Sequence, residues 1–167
     1  MCIVIDINTL SKVFNESDND HSSFCCVKEW INSNSGFLVF GGTKYKEELK
    51  KAIKYLKIIR LLKDGGRAIS IKDDVVDKLA LTIIQKTLNT DCDDPHIIAL
   101  LGASRCSLLC STDIRSFPFV KNKSLYPDNM PKVRIYSSAR NKSLLKKSDP
   151  SSLSNVDHAS FSNPSTP

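Results

Sequence analysis

No stretch of this 167-residue chain approaches the roughly 20 consecutive apolar residues that a membrane span needs. Its start also lacks the pattern of a secretory signal. No basic segment comes first, and Asp6 interrupts the apolar run Cys2-Ile3-Val4-Ile5. We therefore expect no membrane role and a cytoplasmic location. A GxxxxGK[ST] pattern is missing, so Gly41-Gly42 reads as a tight turn and not as a phosphate loop. The six cysteines, Cys2, Cys25, Cys26, Cys92, Cys106 and Cys110, include no CxxC pair and have no histidine at zinc-finger spacing. Cys2, Cys106 and Cys110 sit inside apolar runs, where a reduced thiol behaves as a small hydrophobe, and a reduced protein without disulfides is expected. Internal repeats are absent as well.

The sequence does contain enough apolar residues for one soluble domain. Hydrophobic residues make up 41% and charged residues 25%, and the length suffices to bury a sizeable core. From Ser138 onward large apolar groups become scarce among Ser, Asn, Pro and Lys. Such a segment buries too little surface to offset its ordering entropy, so residues 138–167 are expected to be a disordered tail behind a domain spanning 1–137. The formal charge is +6, of which +2 falls in the tail. A basic domain that also carries an acidic pocket suits a polyanionic substrate held through its phosphates.

Short apolar runs alternate with helical patterns. Residues 2–6, Phe37 to Phe40, Ala68 to Ile71, Ser107 to Cys110 and Arg134 to Tyr136 read as strands. Asn8 to Phe14 and the Phe24, Val27, Trp30, Ile31 stripe read as helices. Thr43 can cap a long amphipathic helix whose stripe is Tyr45, Leu49, Ala52, Ile53, Leu56 and Ile59. Asp73 is expected to cap the next helix. Asp94-Pro95, a cap followed by proline at the first helical position, opens the nearly all-apolar helix Pro95 to Ser104. This alternation indicates an α/β fold with three layers, α/β/α, around a central parallel sheet.

In such a sheet the strand ends and the starts of the following helices share one edge, where sites form. Four acids fall there: Asp6 after the first strand, Glu48 one turn into the long helix, Asp94 at a helix start, and Asp113 after Leu108-Leu109-Cys110. Each has a plainer reading: strand terminator, partner of Lys44 or Lys51, helix cap, turn residue. Together they would repel one another unless a divalent cation joined them. Hard oxygen donors favour Mg²⁺ or Mn²⁺, which can ionise a water for attack on phosphorus. The residue types suit phosphodiester hydrolysis and supply no covalent nucleophile.

The runs Val4-Ile5-Asp6-Ile7-Asn8-Thr9-Leu10, Glu48-Leu49, Asp94-Pro95-His96-Ile97-Ile98-Ala99 and Cys110-Ser111-Thr112-Asp113 with Phe117 following resemble, in order and spacing, a PIN-domain ribonuclease over about residues 1–136. The resemblance implies that Asp6, Glu48, Asp94 and Asp113 are metal-binding and catalytic acids, with Asn8 supporting the first and Ser111 beside the last. It further implies Mg²⁺ or Mn²⁺ as cofactor and single-stranded RNA as substrate. A place in a toxin–antitoxin module with a cognate antitoxin, and a homodimer, belong to the same implication.

Ile7 stands where the family usually has a small hydroxyl residue. A catalytically idle module that binds RNA or a protein partner is therefore the alternative reading. Glu47 adjoins Glu48 and Asp93 adjoins Asp94, so a shift of one in helix phase would exchange Glu48 for Glu47. His96 reads as a packed helix residue or, less simply, a general base. Arg115, Lys121 and Lys123 follow or flank the last acid and are candidates to grip phosphates. A flavodoxin-like regulator is disfavoured, since no suitable lysine follows a late strand.

Overall fold

The structure, a computed structural model, describes residues 1–146. Five strands form one sheet: β1 (Cys2–Ile5), β2 (Phe37–Gly41), β3 (Ala68–Ile71), β4 (Leu108–Cys110) and β5 (Arg134–Tyr136). Their order is β3-β2-β1-β4-β5 and every pairing is parallel. Val4 of β1 lies between Val39 and Leu109, so the central strand is covered on both sides. That position explains its unbroken apolar run: Ile3, Val4 and Ile5 are fully buried.

Seven α-helices connect the strands: α1 (Leu10–Phe14), α2 (His21–Asn32), α3 (Thr43–Lys51), α4 (Ile53–Asp64), α5 (Asp73–Lys86), α6 (Pro95–Ser104) and α7 (Phe117–Val120). Right-handed crossovers from β1 through β2 to β3 place α1, α2 and α4 on one face. The return to β4 runs the other way and puts α5 and α6, which pack on each other, on the opposite face. The α/β/α architecture with a central parallel sheet expected from the sequence is thus the one observed. Helix α6 is buried from His96 through Gly102, as its apolar composition requires.

Three local expectations need correction. The single helix expected from Tyr45 to Ile59 is two helices, broken at Ala52 (φ −103°, ψ 62°). The halves have different partners, since α3 packs on α5 and α6 whereas α4 packs on α1 and β3. A straight rod would not reach both. Ile53, expected in the buried stripe, is accordingly 62% exposed.

Thr43 does not cap α3, nor does Asp73 cap α5; Gly42 and Lys72 hold those positions. Instead α5 caps α3 across space. Asp73 accepts from the Gly42 amide at 3.1 Å, and Asp77 accepts from the Thr43 amide at 2.9 Å and its hydroxyl at 2.6 Å. The turn itself requires glycine. Gly41 (φ 151°) packs so closely on β3 that a Cβ would lie 2.5 Å from the Ile71 carbonyl oxygen, and Gly42 has φ 82°.

The domain boundary expected at residue 137 moves outward. Beyond β5 a 3-10 segment, Ala139–Leu144, packs on β5 and α2, and Leu144 and Leu145 rest against the core. The indole of Trp30 donates to the Lys146 carbonyl at 2.8 Å. The rest of the expected tail, 147–167, lies outside the described residues.

Candidate active site

Strand order reverses beside β1: the chain first builds outward through β2 and β3, then returns to place β4 on the other flank. Crevices form at such a switch point, beyond the strand carboxyl ends. Asp6 follows β1 there and Ser111-Thr112-Asp113 follows β4. Helix α3 is tied to the same edge by Tyr45, whose buried hydroxyl donates to the Ile5 carbonyl at 2.7 Å.

A cleft of about 370 Å³ opens at this edge, lined by Asp6, Ile7, Asn8, Glu48, Lys51, Ala52 and Asp94. Three of the four expected acids, from three separate elements, therefore share one wall. Glu47 is exposed and does not line the cleft; Glu48 does. Asp93 is also exposed and faces the guanidinium of Arg115 at 3.6 Å.

Asp6 is 7% exposed and held from two sides. One carboxylate oxygen accepts from the Asn8 amide at 3.1 Å, the other from the Ser111 hydroxyl at 2.8 Å. Asn8 thus supports Asp6 through its backbone. The Ser111 oxygen in turn accepts from the Asp113 amide at 3.1 Å, linking the first acid to the last. Asp113 does not line the cleft, and its carboxylate accepts from the amide and Nε of Arg115, at 3.1 and 3.3 Å.

Asp94 occupies the N-cap position of α6, yet its side chain makes no capping hydrogen bond. The plain reading of this residue as a cap therefore fails, and its carboxylate is left to the cleft. Glu48 lies 3.5 Å from Lys44 Nζ and 3.4 Å from His96 Nε2. His96 is 7% exposed, and its Nε2 is too poorly aligned with Glu48 to form a hydrogen bond.

These neighbours perturb one another. Burial raises the Asp6 carboxyl above the ordinary range, against the lowering effect of the Ser111 and Asn8 bonds, and Asp113 adds repulsion. Asp94 is raised too, first by burial and then by Asp6, Glu48 and Asp113, while His96 partly offsets them. All four acids are thus electrostatically one cluster.

Oxygen donors of this kind fit Mg²⁺ or Mn²⁺ chemically, and a carboxylate retains lone pairs after accepting one hydrogen bond. Their spacing is less complete. Among the described residues no three His, Cys, Asp or Glu side chains stand around one point closely enough to hold a metal ion. Ligation would require side-chain rotation, most simply of Glu48 and Asp113, which now face Lys44 and Arg115.

Lys121 and Lys123 are not at this edge. They line a separate cleft with Tyr126 to Val133, the segment that leads into the start of β5. Lys51 and Ala52 also line the acidic cleft, beyond the residues the sequence points to. Adjacency of Ala52 and Ile53 in the expected stripe was the available signal of a break there. No helix among the described residues is long and apolar enough to cross a membrane.

No protein-family model matches the chain. No curated protein matches it either. Among solved structures it is similar to the crystal structure of VapBC2 from Rickettsia felis bound to a DNA fragment from their promoter, at 14% identity and a TM-score of 0.42, over 81% of this chain and 97% of that one. At that distance the likeness carries no weight for function.

Proposed function

We propose that the chain is a Mg²⁺- or Mn²⁺-dependent endoribonuclease acting on single-stranded RNA, with Asp6, Glu48, Asp94 and Asp113 as the metal-binding acids. One observation carries this reading. Acids from β1, α3 and α6 converge on a single cleft, and two of them are held above the ordinary carboxylate range by burial and by the others. A purely structural role gives no reason to gather like charges that raise one another's pKa in one cleft, whereas a phosphoryl-transfer site uses them to hold a divalent ion.

When bound, the divalent ion supplies an ionised water and neutralises charge developing on the phosphate. The chain's own residues prepare for this. Ser111 and the Asn8 amide fix the Asp6 carboxylate, so its orientation is set before any ligand arrives. Asp94 offers a carboxylate that its helix does not use. Lys51, at the cleft wall, is placed to meet a substrate phosphate.

The test is cleavage of labelled single-stranded RNA under Mn²⁺ titration. Wild type should cut, EDTA should stop it, and Asp94→Asn should lower kcat by at least about 100-fold with the fold intact by circular dichroism. EDTA-insensitive cleavage, or full activity in Asp94→Asn, rules the reading out.

A second reading, an idle module that binds RNA or a protein partner, has one observation in its favour: no three candidate ligands surround one point, and Arg115 holds Asp113. RNA binding without turnover in either metal would select it. An antitoxin partner and a homodimer remain part of the first proposal. Co-expression with the product of an adjacent gene, followed by co-purification and light scattering, tests both.

A further inference from the structure

The positive charge of this protein is concentrated on one arm. Residues 43–64, the α3–α4 pair, hold eight of the 24 lysines and arginines against three carboxylates, in a chain whose whole net charge is +6. Two of those cations are engaged, Lys44 with Glu48 and Lys46 with Asp73. The other six, Lys50, Lys51, Lys54, Lys57, Arg60 and Lys63, are exposed and form no ion pair among the described residues. Among the described residues Lys54 has only neutral partners, the Asn15 side-chain oxygen at 3.1 Å and the Tyr55 ring, whose centroid is 5.9 Å away.

Their placement is ordered. With 3.6 residues per turn, Lys54, Lys57 and Arg60 fall within about 120° of arc on α4, on the side opposite buried Ile59. The twelve residues of α4 extend for about 18 Å. This row begins at the acidic cleft, because Lys51 and Ala52 line the cleft and α4 starts at the next residue. The break at Ala52 is what turns α4 away from the acids to form an approach to them. A polyanion whose phosphate is cut at the cleft would leave it along this face.

We propose that the exposed face of α4, carrying Lys54, Lys57 and Arg60, is the track that holds the single-stranded RNA backbone running to the acidic cleft. The inference rests on the nuclease reading for its substrate and adds where that substrate lies. Charge complementarity and continuity with the cleft both favour a polyanionic strand. Ile53 and Leu61, 62% and 71% exposed among the same cations, make an acidic polypeptide the rival occupant.

The experiment compares wild type with the triple variant Lys54→Gln, Lys57→Gln, Arg60→Gln, and with a control variant, Lys121→Gln, Lys123→Gln, Lys132→Gln, altered in the distant basic cleft. Binding of a short fluorescent single-stranded RNA is followed by anisotropy in EDTA across a salt series. The α4 variant should bind roughly tenfold more weakly at low salt, with the slope of log K against log salt smaller by about 2. Its kcat in Mn²⁺ should be unchanged and its KM raised. The control should match wild type.

Equal weakening in both variants would show diffuse attraction and overturn the proposal. So would loss of poly-glutamate binding in the α4 variant with RNA binding retained. Failure of the nuclease reading looks different: wild type would bind RNA, the α4 variant would not, and neither would cut.

Discussion

Asp94 shows how little a residue's position in sequence says about its side chain. An Asp before a Pro is an ideal cap by pattern, and it does hold the N-cap of α6, but the carboxylate caps nothing. Its energetic signature follows from the raised carboxyl. A group whose folded pKa lies above its unfolded value holds its proton more tightly in the native state. It therefore favours folding below about pH 4, and this contribution is lost as pH rises through the folded value. Asp94→Asn should consequently raise Tm in metal-free buffer at pH 7, by on the order of 2 °C, and the advantage should vanish near pH 4. Thermal melts from pH 4 to pH 8 in EDTA measure this. A lower Tm at pH 7 would mean that the carboxylate is favourably paired after all. Adding Mn²⁺ should reverse the order, because ligand binding stabilises the chain that binds it better.

Asp6 is a different case at the same scale. Its two hydrogen bonds oppose the effect of burial, so substitution loses support as well as charge. Ser111→Ala should leave Asp6 less fixed and lower cleavage while reducing stability by about 1 kcal/mol, as seen by urea unfolding. Unchanged kcat in a folded Ser111→Ala protein would remove Ser111 from the site.

Among the elements, the α3–α4 pair carries the main departure from the sequence reading. Periodicity sees one stripe, yet the two halves serve different partners and the joint at Ala52 becomes part of the cleft wall. Start signals misled for a related reason. Asp73 and Asp77 lie in the first turns of α5, and Asp73 reads as that helix's own cap, but both bind the amides that open α3. Asp77→Ala should therefore destabilise by about 1 to 2 kcal/mol and exceed Thr43→Ala, which loses one hydroxyl bond while the amide keeps its partner. Chemical denaturation of the two variants settles the comparison. A larger loss in Thr43→Ala would show that the helix is capped locally.

For the whole molecule, the segment after β5 closes over α2. Trp30 is 5% exposed, and among the described residues its indole N–H has its only hydrogen-bond partner in the Lys146 carbonyl, 116 residues away. Ending the chain after Ser137 would remove that bond and the packing of Leu144 and Leu145. A loss of about 2 to 3 kcal/mol is expected, read as a fall in Tm of several degrees. An unchanged Tm would place those residues outside the folding unit.

Local chemistry was enough to determine the strands, because each is short and apolar and parallel pairing buries both faces of the central ones. It also determined that Asp6, Glu48, Asp94 and Asp113 belong near one sheet edge, since strand ends and helix starts share that edge in any βαβ chain. Composition misjudged residues 138–146, whose few apolar groups suffice because a ready surface on α2 receives them. The direction of each carboxylate was decided only by tertiary structure: Asp94 into the cleft, Asp113 onto Arg115, Asp77 to another helix's amides. Side-chain aim depends on which partner lies within about 3 Å in space, and periodicity along one chain carries no record of that distance.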